Sequence, residues 1–147
     1  MQKLCIFGQR IAMTKHEIVL MSITGEDKPG VTSSLTEILS KHNATILDIG
    51  QANIHQSLSL GILFRLDPVM QGNILKDLLF KSYELGVQAK FTPIERADYD
   101  QWVSRQGKES YVITVLGQKI EATQLAHVTK VIAEQGLNID TIKRLTG

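Results

Sequence analysis

The sequence predicts an α+β fold, a four-stranded antiparallel sheet with two helices on one face, followed by a shorter copy of the same pattern. Three observations predict it. Strand-like and helix-like runs follow one another as strand, helix, strand, strand, helix, strand over residues 18–94. The strand and helix positions then recur 92 to 93 residues later. A hydrophobic fraction of 43% with a formal charge of +1 supplies a core without a strong electrostatic bias.

Ile18 to Thr24 is short, apolar and rich in strand formers. The segment Gly25-Glu26-Asp27-Lys28-Pro29-Gly30 then turns the chain into a helix. Val31, Leu35, Ile38, Leu39 and His42 recur there at helical spacing. Asn43, able to take the left-handed conformation, ends that helix before a second strand from Thr45 to about Ile54. His55-Gln56-Ser57 reads as a turn, and Leu58 to Leu66 as a third strand. Asp67-Pro68 breaks that strand and opens a helix over about Val69 to Leu85. Ile74, Leu75, Leu78, Leu79 and Leu85 trace its apolar face. Gly86 stops it, and Val87 to Ile94 completes the set. This order is that of the ferredoxin-like split βαβ fold. Leu35, Leu39, Leu75 and Leu79 are expected to cover the sheet, whose other face is left to solvent or a second sheet.

Residues 1–15 read as a leader or tail outside this domain of residues 16–94. Met13-Thr14-Lys15 resembles a natural start, and residues 1–12 an upstream extension or flexible tail. Glu95 to Glu109 reads as a polar linker, with Trp102 as a packing anchor against a flanking domain. Within residues 110–147, Tyr111 to Leu116 repeats the first strand and Gly117 falls where Gly25 did. A helix from Thr123 to Gln135 places Val128, Val131 and Ile132 where Leu35, Ile38 and Leu39 stood, and Ile139 and Ile142 repeat Ile46 and Ile49. Such a repeat is two copies of one domain, not a solenoid. The second copy is expected to be truncated after strand, helix and strand, with a gap where its third strand belongs. A longer natural protein and association into a homodimer are the expectations that follow.

Near-neutral charge, scattered basic residues and few aromatics give no reason to expect a nucleic-acid partner. No window approaches the roughly 18 consecutive apolar residues of a membrane span, so no membrane partner is expected. The single Cys5 fits a cytoplasmic location. His16, His42, His55 and His127 fall at no metal-ligand spacing, and no metal site is expected. Ser33 and Ser34 have no activating base nearby in sequence, and no catalytic residue is expected.

The loop at Gly25–Gly30 points to binding. A helix start leaves backbone N–H groups free to receive a small anion such as a carboxylate. Asp27 beside it would hold a cation, so one loop would grip both ends of an amino-acid zwitterion. The plainer alternative is that Asp27 caps the helix and Pro29-Gly30 shapes the turn.

The strand, the Gly25-Glu26-Asp27-Lys28-Pro29-Gly30 loop and the apolar helix together resemble the ACT domain, a ligand-binding module of amino-acid metabolism. The Asp-Lys-Pro-Gly form is similar to a subgroup found in phosphoserine phosphatases with two N-terminal ACT copies, in glycine-cleavage regulators and in formyltetrahydrofolate deformylases. Ala44 to Gln51 and Tyr99-Asp100-Gln101-Trp102-Val103 resemble the first of these, in its Bacteroidetes form. The resemblance covers about residues 14–147. It implies a site between two copies, held by the loop after the first strand and the start of the second. By position this gives Asp27, Pro29, Gly30 and Val31, with Asn43 to Thr45 at the second strand's entry and Asn138 from the second copy. Many ligand-binding members carry Asn where Asp27 stands, and Gly117 to Ala122 lacks the Asp-x-Pro-Gly motif, so the second copy is expected to be structural.

The resemblance implies a regulatory segment of a phosphoserine phosphatase in serine biosynthesis, sensing a small amino acid, L-serine above all. The phosphatase chemistry and its magnesium belong to a separate domain with an Asp-x-Asp-x-Thr/Val loop. Asp98-Tyr99-Asp100 has the separation but not the Thr or Val two places on, and this chain is expected to be non-catalytic. The alternative is a stand-alone regulatory or oligomerisation protein of the glycine-cleavage kind.

Overall fold

The computed structural model describes residues 5–6, 9–10, 17–67, 69, 71–107 and 109–145. His16, Pro68 and most of the expected leader therefore lie outside the described residues. The chain divides into two compact units, Met1–Gly107 and Lys108–Gly147. Each is described by itself.

The first unit begins with a two-residue antiparallel ladder between β1 (Cys5–Ile6) and β2 (Gln9–Arg10). Its main sheet comprises β3 (Glu17–Glu26), β4 (Thr45–Ile54), β5 (Ser57–Leu66) and β6 (Gln88–Ile94). Helices α1 (Val31–Lys41) and α2 (Gln71–Glu84) are the crossovers. The strand order is β4-β5-β3-β6, with every neighbouring pair antiparallel. This is the expected ferredoxin-like topology.

Period-two alternation sets the core. Val19, Met21 and Ile23 of β3 and Leu58, Leu60, Ile62, Phe64 and Leu66 of β5 are all buried. They meet Val31, Leu35 and Leu39 of α1, spaced four residues apart on one helix face. The end of α1 follows the expected chemistry. Asn43 adopts φ 54°, and the Ala44 amide reaches back to the Leu39 carbonyl at 3.0 Å. His42 Nε2 bonds Asp77 Oδ2 at 2.8 Å, joining the last turn of α1 to α2. Gly86, at φ 70°, ends α2.

Three expectations are corrected. Leu79 is not core: it is 55% exposed, whereas Ile74 and Leu78 are fully buried. The buried row continues four residues on to Ser82, whose hydroxyl satisfies itself by donating to the Leu78 carbonyl at 2.7 Å. The row that covers the sheet is thus Ile74, Leu78 and Ser82, set one residue before the Leu75 and Leu79 that the hydrophobic pattern assigned. Next, the segment read as a linker holds a helix, α3 (Arg96–Arg105). It is mostly exposed, and Trp102 packs one turn away against Tyr99 with ring centroids 5.7 Å apart. Finally, the strand-like run at the start of the motif extends through Gly25 and Glu26 before the chain turns. Gly25 is required by close approach, since a Cβ there would lie 2.9 Å from Val87 Cγ1.

The second unit contains α4 (Ala122–Glu134), opened by the Gln124 side chain accepting the Glu121 amide at 2.9 Å. The strands expected at Tyr111–Leu116 and around Ile139 and Ile142 form no ladder. In the first unit the equivalent strands β3 and β4 never touch, because β5 lies between them. The second unit has no described strand in that place. No described residue of the second unit is buried.

Candidate functional site

The site lies where β3 ends. The β3 strand passes through Glu26 into a four-residue turn whose last member, Gly30, has φ 92° and ψ −4°. A side chain at that φ is disfavoured, which explains glycine there. Pro29 fixes the preceding backbone and removes a donor. Gly30 is the N-cap residue of α1, and no side chain caps the helix. The Ser34 amide is satisfied by the Gly30 carbonyl at 2.9 Å, and the Val31 amide reaches the Lys28 carbonyl only at 3.5 Å. The Thr32 and Ser33 amides have no backbone acceptor among the described residues. Their donors stand at the positive end of the helix dipole.

Asp27 is not the helix cap. Its Oδ2 accepts a 2.6 Å hydrogen bond from Asn53 Nδ2, and its amide donates to the Gln56 carbonyl at 2.8 Å. Both partners belong to the hairpin joining β4 and β5. Thr32 Oγ1 donates at 2.7 Å to Gln51 Oε1, two residues before Asn53 on β4. The hairpin therefore buttresses the loop along its length. Between them is an open cleft of about 410 Å³ lined by Asp27, Lys28, Pro29, Gly30, Val31, Thr32, Ser33 and Gln51. That volume suits a small metabolite. Lys28 Nζ lies 3.7 Å from Glu26, both well exposed, so the acid that faces the cleft without a cationic partner is Asp27 among the described residues.

Of the residues expected from sequence, Asp27, Pro29, Gly30 and Val31 come together in the cleft. Asn43 and Thr45 do not line it. Because α1 is a crossover, β3 and β4 run parallel and finish at the same end of the sheet, with β5 between them. Thr45 pairs with Arg65 at the opposite end of the sheet from the Ile54–Ser57 pair. Ten strand residues separate the two ends, about 30 Å. Asn138 lies in the second unit and is exposed. Gln51, Asn53, Thr32 and Ser33 were missed. Only the alternation along β4, which puts Ile49, Gln51 and Asn53 opposite the inward-facing Ile62, Leu60 and Leu58, would have picked out the first two.

No group of three or more His, Cys, Asp or Glu side chains capable of holding a metal occurs among the described residues. No described helix is long and apolar enough to cross a membrane.

An ACT domain matches residues 17–92, which span the loop, the sheet and both covering helices. The chain belongs to the ACT-domain family. A second ACT-domain match covers residues 109–147, the second unit. The chain is 37% identical over 131 residues to a phosphoserine phosphatase of Mycobacterium tuberculosis, covering 87% of this chain and 31% of that protein. It is 27% identical over 128 residues to a phosphoserine phosphatase of Streptomyces coelicolor, covering 86% of this chain and 30% of that one. The chain thus spans less than a third of the length of either relative. A crystal structure assigned as a glycine cleavage system transcriptional repressor superposes with a TM-score of 0.52 at 14% identity, over 54% of this chain and 47% of that one. At that identity the likeness is one of fold. This ACT fold carries a regulatory region similar to that of the phosphatases.

Proposed function

We propose that this chain senses a small amino acid, L-serine above all, as the regulatory segment of a cytoplasmic phosphoserine phosphatase in serine biosynthesis. The observation that carries the reading is the convergence of Asp27 with the unbonded amides of Thr32 and Ser33 on one open cleft. A zwitterion fits that pairing. Its ammonium group goes to the Asp27 carboxylate, already oriented by Asn53, and its carboxylate to the helix-start amides. The Thr32–Gln51 bridge offers a hydroxyl and an amide to a hydroxylated side chain.

The working unit is a homodimer. β4 is an edge strand, and its Ile46 and Ile49 are 41% and 47% exposed. Two copies meeting antiparallel through β4 would bring the Thr45 end of one beside the loop end of the other. The partner's Asn43 and the partner's Thr45 would then complete the cleft. Ligand bridging two copies favours one arrangement of them, and its effect on catalysis equals its differential affinity for the two arrangements, about 1–3 kcal/mol. Catalysis, with its magnesium, belongs to the part of the phosphatase length that this chain does not span. The 37% identity to a phosphatase over most of the chain favours this over a stand-alone glycine-cleavage regulator.

Isothermal calorimetry with serine, glycine and alanine tests the reading. Saturable heat with serine, with an affinity about tenfold weaker in Asp27→Ala, is the expected result. The absence of heat with all three at millimolar concentrations would defeat it.

A further inference from the structure

With an amino acid's ammonium group on Asp27 and its carboxylate on the Thr32 and Ser33 amides, its side chain is still to be recognised. Few polar groups of the cleft are left to do so. Lys28 Nζ stands 3.7 Å from Glu26 Oε2. The Ser33 hydroxyl donates to the Gly30 carbonyl at 3.1 Å. Pro29, Gly30 and Val31 bring no polar side chain. There remain Thr32, on the first turn of α1, and Gln51, on β4, joined at 2.7 Å and both lining the cleft.

The direction of that bond fixes what the pair can offer. Thr32 Oγ1 gives its only proton to Gln51 Oε1, so toward a ligand it can only accept. Gln51 Nε2 carries two N–H groups and finds no acceptor among the described residues, so toward a ligand it donates. We infer that this pair reads the ligand side chain as a free hydroxyl, Gln51 Nε2 donating to its oxygen and Thr32 Oγ1 accepting its proton. One atom must do both. A methyl group does neither, and an ether oxygen only accepts, so the class selected is a short amino acid with an unmodified hydroxyl. Gln51 is exposed and Thr32 half-buried, so each bond should count for about fivefold in affinity. Because the two side chains satisfy each other, a ligand without the hydroxyl is weakened rather than excluded.

This selection rests on the zwitterion reading of the cleft, and the test tells the two apart. Isothermal calorimetry of the 147-residue chain is run with L-serine, O-methyl-L-serine and L-alanine. Serine should bind about fivefold more tightly than O-methylserine, which lacks the proton, and O-methylserine about fivefold more tightly than alanine, which also lacks the oxygen. Thr32→Val removes the acceptor and should abolish the first preference. Gln51→Glu still accepts the Thr32 proton, and so keeps the brace between α1 and β4, but has no N–H to give. It should abolish the second preference, whereas a pair that merely braced the helix would leave both ratios as in the wild-type chain. Asp27→Ala should weaken all three ligands and keep the ratios. Equal affinity for the three ligands, or either preference surviving its variant, would overturn the inference and leave amino-acid sensing standing. No heat with any of them would remove both.

Discussion

Leu35 and Val128 stand 93 positions apart and occupy the same place on two similar helices, yet Leu35 is fully buried and Val128 is not. The helices are not the cause, since α1 runs for 11 residues and α4 for 13, each with one apolar face. What differs is the sheet beneath. In the first unit β5 joins β3 to β4 and brings five inward-facing apolar side chains with it. Among the described residues of the second unit no such strand exists, so similar residues make a helix but neither a ladder nor a core. A helix satisfies its backbone within itself, whereas a strand depends on a neighbour. The comparison separates local from non-local sources of structure within one chain.

Truncating the matched residues would break the comparison most sharply. Leu35→Ala should destabilise the first unit by about 2–5 kcal/mol through loss of buried contacts and the cavity left behind. Val128→Ala should leave that same denaturation transition unmoved. Guanidinium unfolding followed by circular dichroism measures both. The glycine pair comes next. Gly25→Ala forces a Cβ against Val87 and is expected to cost about 1–3 kcal/mol. Gly117→Ala meets only the Lys119 carbonyl at 3.5 Å and should be close to neutral in thermal melts.

The binding loops give a smaller effect. Asp27→Ala should weaken serine binding about tenfold, or about 1.4 kcal/mol, because it removes the acid held by Asn53. Substituting Gly117 to Ala122, which lack the Asp-x-Pro-Gly motif, should leave the calorimetric signal unchanged. Smallest is His42→Ala, which removes the bond from α1 to Asp77. Its expected cost is about 0.5–1.5 kcal/mol, again by denaturant titration, and it has no counterpart in the second unit.

Much of the first unit was legible residue by residue. Alternation, helical spacing and the stops at Asn43 and Gly86 are local signals, and the elements stand where those signals put them. Ser82 was not legible: a hydroxyl enters a core only when a nearby carbonyl takes its proton, and sequence does not reveal that the Leu78 carbonyl does so. Half of the cleft could be read from the Asp-Lys-Pro-Gly turn. For Gln51 and Asn53 the alternation along β4 gives only the face they share; their approach to Asp27 depends on α1 returning the chain so that β3 and β4 finish at the same end of the sheet. Helix α3 was hidden by its polarity, having too few apolar residues to show a period.

The hairpin turn at His55 and Gln56 bears on how the cleft could be disabled. His55 holds φ 56°, and the Gln56 carbonyl is the main-chain anchor of Asp27. Severing the chain at this surface tip would spare every buried side chain of the sheet, yet it would release the acid from its footing. If the cleft binds serine as proposed, a protease cutting there should yield a domain that still melts cooperatively and gives no calorimetric signal with serine.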